Sequence, residues 1–184
     1  VQEALAPEKD VDGITDGSMA GVFTNMPIGY PPCTAQACLE ILKYYNVPLS
    51  GKRAVVVGRS LVVGKPAAMM LMGKNATVTV CHTKTVNTAE VARSADILVS
   101  AAGVLGSLTK EYVRPGQVVI DVSINWDPNK VNSKGGKGAI AGDAVFEEVE
   151  PIVEAITPVP GGVGSVTTSV LMKHVVEAAE RVHS

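Results

Sequence analysis

The run VVVGRSLVVGKP, from Val55 to Pro66, constrains the fold of this chain more than any other segment. Three successive β-branched residues, Val55–Val57, read as a strand buried on both faces, as in parallel sheets. Gly58 then breaks the chain into a turn, and Gly64 with Pro66 opens a helical stretch. A strand, a glycine-bounded turn and a helix N-terminus present backbone N–H groups and a helix dipole to an anion. Open α/β sheets hold a dinucleotide's phosphates this way. The familiar G-x-G-x-x-G is replaced here by Gly58-Arg59-Ser60-Leu61-Val62-Val63-Gly64, and alone it is also readable as an ordinary βα turn.

The next strand sharpens the reading. ATVTVCHTKT, Ala76–Thr85, reads as a second strand. In NAD-specific folds an acid about 20 residues after the glycine turn binds the ribose hydroxyls. Here the strand ends in His82, Thr83 and Lys84, with no acid. Together with Arg59 and Lys65 they make a cationic, hydroxyl-rich corner suited to the 2′-phosphate of NADP. The plainer alternative is a solvated basic strand end.

The rest of the chain alternates in the same manner. Thr34 is placed to cap a helix over Ala35–Tyr45, ended by Pro48 and Gly51. Strands read at Ala54–Val57, Thr77–Cys81, Ile97–Ala101 and Val118–Val122. Helical segments read at Pro66–Gly73, Thr88–Ala95 and Thr109–Val113. This pattern predicts an α/β fold with a doubly wound, Rossmann-like parallel sheet. Asn129–Gly138 reads as an exposed Lys/Gly/Asn loop and Gly142–Val149 as a short acidic helix. PVPGGVG, Pro158–Gly164, is a loop before a final helix over Thr167–Val182. Val170, Leu171, Val175, Ala178, Ala179 and Val182 form one apolar stripe on that helix. Its His174 reads as a surface or hydrogen-bonded helix residue rather than a base, Trp126 as packing, and Glu147, Glu148 and Glu150 as a solvated face.

Bulk properties exclude some classes. A net charge of −2 over 184 residues points away from nucleic acid and anionic membranes. No apolar run approaches the roughly 18 residues that span a bilayer. Cys33, Cys38 and Cys81 lack metal-like spacing, so no metal is expected, and their odd number favours a reducing compartment.

Six motifs in order resemble the bifunctional methylenetetrahydrofolate dehydrogenase/methenyltetrahydrofolate cyclohydrolase family. They are KDVDG at Lys9–Gly13, Pro32-Cys33-Thr34, VVVGRSLVVGKP, CHTKT at Cys81–Thr85, Gly142-Asp143 and ITPVPGGVG at Ile156–Gly164. The resemblance implies NADP-dependent oxidation of methylenetetrahydrofolate, then hydrolysis of the methenyl product to formyltetrahydrofolate, in one-carbon metabolism and purine biosynthesis. It implies a cytoplasmic homodimer, with a mitochondrial place left open. Residues 49–154 would be the NADP domain. Residues 1–48 and 155–184 would be remnants of a second α/β folate domain at both chain ends.

Asp12 is expected at the pterin, with turn capping as the alternative, and Asp10 is expected to be structural. Pro160, Gly161 and Gly162 are expected against the substrate. Gly58, Arg59, Ser60, Gly64, His82, Thr83, Lys84, Ala102, Gly103, Ile124, Gly164 and Thr167 are expected at the cofactor. Two departures fall near the expected nicotinamide and folate sites: Ser123-Ile124-Asn125 where the family often has Gly-Ile-Asn, and Gly164-Ser165-Val166-Thr167 where it often has G-P-M-T. The Tyr-x-x-x-Lys motif implicated in both chemical steps does not occur in these residues. The expectation is therefore a C-terminal piece of a longer enzyme, its N-terminal segment a separate chain, lost or left out, with the catalytic residue unassigned. On that expectation the chain binds NADP but lacks both activities alone, and associates through the uncovered stripe. A non-catalytic NADP-binding or regulatory module, and another small-molecule dehydrogenase, are the competing readings.

Overall fold

The computed structural model describes residues 5–131 and 135–183, with backbone alone for Val182 and His183. In chain order the elements are α1 (Asp16–Thr24), α2 (Cys33–Tyr44), β1 (Arg53–Val57), α3 (Gly64–Met72), β2 (Thr77–Cys81), α4 (Thr88–Arg93), β3 (Ile97–Ser100), β4 (Val118–Asp121), β5 (Asn125–Val131), β6 (Lys137–Ala141), α5 (Phe146–Val149), β7 (Ala155–Ile156) and α6 (Val163–His183). Short 3₁₀ turns occupy Pro7–Lys9 and Lys110–Tyr112.

Five strands form one parallel sheet in the order β2-β1-β3-β4-β7. The chain leaves β1 for β2 on one side, then crosses to β3 on the other. The order therefore reverses between β1 and β3, and such a switch point opens a crevice beyond the carboxyl ends of the strands.

Alternation along each strand explains the two cores. Val56, Val99 and Ile120 join Leu39 and Leu42 of α2, Ala68 and Leu71 of α3, and Val170 of α6. Their sequence neighbours Val55, Leu98 and Val119 pack on the opposite face with Ala92, Leu108, Val113 and Val149. Burial on both faces is why these strands are unbroken apolar runs. The α2 and α6 helices share a cluster with the sheet.

Several expected boundaries move. Thr34 is not an N-cap: the helix begins at Cys33 after Pro32, whose extended backbone caps it without a side-chain bond. The final helix begins four residues early, at Val163, so Gly164 is helical rather than a loop residue, while Thr167 is helical as expected. Its apolar stripe divides: Val170 is buried and Leu171 partly so, whereas Val175 is exposed and the side chain of Val182 lies outside the described residues. Asn129–Gly138 is not a simple loop. Asn129–Val131 and Lys137–Gly138 belong to the antiparallel β5-β6 ribbon, which pairs Trp126 with Ile140, and Asn132, Ser133 and Lys134 lie outside the described residues. Lys, Gly and Asn composition concealed strands that lean on no core. Only Phe146–Val149 of the expected acidic helix forms, because Gly142–Ala144 is held extended by aspartate contacts. His174 is a buried, hydrogen-bonded residue and not a surface one.

Before α1, Asp10 organises its loop. Its buried carboxylate accepts from the N–H groups of Gly13, Ile14 and Thr15 and from the hydroxyls of Thr15 and Ser18. Burial alone would raise its pKa, but these hydrogen bonds outweigh burial and hold it below the ordinary carboxylate value. A depressed folded-state pKa contributes stability that is complete above the unfolded value, about 3.9, and is lost as pH falls through the folded value. The urea midpoint should therefore favour the native protein over Asp10→Asn between pH 7 and 5, with the gap closing toward pH 3. A gap constant with pH would contradict this account.

Candidate functional site

The crevice predicted by the strand order is present. One cavity of 360 Å³ is lined by Gly58, Arg59, Ser60, His82, Thr83, Ala102 and neighbouring residues. A second, of 540 Å³, is lined by Thr34, Ser60, Ala102, Gly103, Ser123, Ile124, Gly164 and Thr167 among others. Ser60, Ala101 and Ala102 border both, which makes them two lobes of one groove along the carboxyl edge of β1, β2, β3 and β4.

At the junction of the lobes the backbone itself comes close. Gly58 has φ +119°, and a Cβ there would collide with the Ala101 carbonyl that follows β3. Only glycine allows the two loops this approach. Gly64 does not line the groove; it is buried beneath the Gly58–Arg59 peptide. The Ser60 hydroxyl accepts from the N–H groups of Val63 (3.2 Å) and Gly64 (3.4 Å), which ties down the start of α3 from four residues before its first residue. Arg59 and Ser60 are exposed, and Arg59 forms no ion pair among the described residues.

At the far end of the first lobe, the His82 N–H donates to Thr85 Oγ1 (2.9 Å) and the Lys84 N–H donates to His82 Nδ1 (3.1 Å). In the neutral ring this leaves Nε2 as the donor. Lys84 is exposed and lies outside the lining, beside Thr83 in the chain.

Sequence reasoning missed Asp143 as an organiser. It is fully buried, and its carboxylate accepts from Ser100 Oγ (3.0 Å), Ser123 Oγ (2.8 Å), Asn125 Nδ2 (3.1 Å) and the N–H groups of Ala102 (2.9 Å), Gly103 (3.3 Å) and Val104 (2.8 Å). One side chain thereby holds the loops after β3 and β4. Asp121, at the end of β4, accepts from the N–H groups of Ser123, Asp143 and Ala144. Burial raises its pKa, Asp143 adds to the rise, and the backbone donors only partly offset them. Gly142 runs so close to Asp121 that a Cβ would overlap the carboxylate. The G-D dipeptide was the visible signal, but its partners are about 20 to 40 residues away.

Asp12 is exposed and borders neither lobe. It stands against the Cys33 thiol, which burial and the Asp12 carboxylate push up to about 12. Cys33 adjoins Thr34 at the rim of the second lobe. Gly161 and Gly162 line a different cavity, with Ile41, Val118 and Ile156, and Pro160 lines neither lobe. The structure therefore gathers ten of the twelve expected cofactor residues, all but Gly64 and Lys84, and does not bring Pro160, Gly161 and Gly162 into the same groove. A larger cavity of 780 Å³ opens among α1, α2, α3 and α6, away from the strand ends. Among the described residues no group of three His, Cys, Asp or Glu could hold a metal, and no helix is long and apolar enough to cross a membrane.

Residues 32–183 match the family described as tetrahydrofolate dehydrogenase/cyclohydrolase, NAD(P)-binding domain. The chain belongs to this family. The bifunctional protein FolD of Carboxydothermus hydrogenoformans is 58% identical over 180 residues, covering 98% of this chain and 61% of that protein. The crystal structure of the bifunctional FolD methylenetetrahydrofolate dehydrogenase/cyclohydrolase from Campylobacter jejuni superposes with a TM-score of 0.89 at 38% identity, over 98% of this chain and 61% of that one. The Trypanosoma brucei enzyme, complexed with NADP cofactor and inhibitor, gives a TM-score of 0.88 at 38% identity, with the same coverage of each chain. The chain thus spans about three fifths of the length of the relatives it matches.

Replacing Asp143 by Asn removes an acceptor and inserts a donor among donors. Asp143→Asn should lower unfolding free energy by about 2–4 kcal/mol in urea titrations and weaken dinucleotide binding at least about tenfold. Unchanged stability would show that the loops do not depend on this carboxylate.

Proposed function

We propose that this chain forms the NADP-binding part of an enzyme that oxidises 5,10-methylenetetrahydrofolate to 5,10-methenyltetrahydrofolate and hydrolyses that product to 10-formyltetrahydrofolate. The observation that carries this reading is the groove at the β1/β3 switch point, with Arg59, His82 and Thr83 at one end and Ile124, Gly164 and Thr167 at the other. Family membership supports the reaction, and the NADP complex of the trypanosome relative supports the cofactor.

NADP, when bound, accepts the hydride. The residues of this chain bind and orient it. Arg59 offers a guanidinium fork, and His82, Thr83 and nearby Lys84 offer donors, at the lobe where no acid stands to select ribose hydroxyls. The Ala102 and Gly103 backbone, pinned by Asp143, walls the middle of the groove. Ile124, opposite Gly164 and Thr167, supplies an apolar surface against which a flat ring can pack. Holding two reactants in register accounts for most of the rate gain in such a transfer.

We place the pterin at Asp12, beyond the second lobe's rim at Thr34, where a carboxylate can accept from an amino group and a ring N–H together. The reading includes a homodimer; Trp126 and Ile140, paired across the ribbon and exposed, leave apolar surface for self-association. It also includes a cytoplasmic place, and three buried free cysteines suit a reducing compartment. The formyl product would feed purine biosynthesis.

Arg59→Ala should weaken NADP about 30-fold, the equivalent of about 2 kcal/mol for a charged hydrogen bond, and leave NAD nearly unchanged in titration calorimetry. Equal loss for both cofactors would refute the 2′-phosphate assignment. Asp12→Asn should reduce folate affinity while NADP affinity holds; unchanged folate binding would return Asp12 to a turn-capping role.

A further inference from the structure

His174 is a buried polar residue with a specific set of partners. It sits on α6 with 1% of its surface exposed. Its Nδ1 lies 2.8 Å from the Val11 carbonyl oxygen and its Nε2 lies 2.8 Å from Gln36 Oε1 on α2. The Cys33 thiol also donates to Val11 O (3.4 Å) and approaches Nδ1 at 3.6 Å. The Tyr30 ring packs against the imidazole, with centroids 4.9 Å apart.

A carbonyl oxygen can only accept, so Nδ1 carries the proton of this contact. The amide of Gln36 can turn to meet either state of Nε2, at the expense of its 3.3 Å bond to Glu40. One helix near the chain's C-terminus is therefore tied to the backbone of the loop that presents Asp12. The oxygen it holds belongs to Val11, the residue before Asp12, so the bond fixes the peptide plane that aims the Asp12 side chain. Asp10 holds the other side of the same turn, through Gly13.

We propose that His174 is a positioning residue for substrate selection, acting through the Val11 carbonyl to aim Asp12; this rests on the reading that Asp12 takes the pterin. Asp12 itself is exposed, and its loop is otherwise restrained from the Asp10 side and by a weak thiol donor. Loss of the imidazole contact frees the peptide while leaving the NADP groove, built from β1 to β4, untouched.

The test uses two substitutions that divide the imidazole's functions, with a third that removes both. The amide nitrogen of Asn falls where Nδ1 stands, and that of Gln falls where Nε2 stands. His174→Leu keeps apolar volume and has no donor. In the active protein, His174→Leu and His174→Gln should raise the KM for methylenetetrahydrofolate about tenfold, with the KM for NADP and kcat at saturating folate within about twofold of the native values. His174→Asn should restore the folate KM to within about threefold. If His174→Leu fails to fold, the contrast between Asn and Gln decides the matter. Equal impairment of Asn and Gln, parallel rises in both KM values, or an unchanged folate KM in the Gln variant would each overturn the proposal.

A second readout does not depend on turnover. Amide hydrogen exchange at Gly13, whose N–H is bonded to the Asp10 carbonyl, should quicken in the Gln variant and not in the Asn variant, with exchange in β1 and β3 unchanged. That pattern in a protein inactive on folate would uphold the anchoring of the loop and refute the folate reading. Uniform exchange across the variants would refute the anchoring itself.

Discussion

The groove depends on a carboxylate that is fully buried. Asp143 takes donors from the loop after β3, from the loop after β4 and from the start of the β5-β6 ribbon. Unsatisfied, a buried charge of this kind would be prohibitive; surrounded by oriented donors, it becomes the point to which three connections are tied. Parallel strands deliver those connections to one edge, but strand pairing does not decide the shape of the loops beyond that edge. The neighbouring Asp121 repeats the arrangement from the end of β4, accepting from the backbone of Asp143 itself and of Ala144.

The parts of the fold legible in the sequence were those decided by local pattern. Val55–Val57 announced a strand buried on both sides because both neighbouring layers need apolar residues in alternation. Gly58 announced a turn because its φ is one that other residues rarely adopt. The β5-β6 ribbon was not legible. Its strands carry Asp127, Pro128, Asn129 and Lys130 and draw their order from each other rather than from a core, so neither periodicity nor composition marked them.

The site was legible in part for the same reason. Residues that follow strand ends fall at the groove by topology alone, so Arg59, His82, Ala102 and Ile124 could be placed once the strands were known. Asp143 could not be assigned a role, because what it does is set by atoms from distant segments. The two aspartates of KDVDG illustrate the difference at short range. Asp10 points inward to five donors, whereas Asp12 is exposed beside the buried Cys33 thiol, and nothing in the alternation of charges says which is which. His174 belongs with Asp143: a helical histidine gives no sign of a carbonyl more than 160 residues earlier.

The hydroxyl of Ser60 has a consequence for ligand entry. It accepts from the amides of Val63 and Gly64 at the start of α3, donors that a helix N-terminus would otherwise leave unpaired. The loop is thus held in shape by one of its own side chains before any ligand arrives, rather than left as a slack segment. Entropy that a floppy glycine loop would lose on binding has been surrendered at folding.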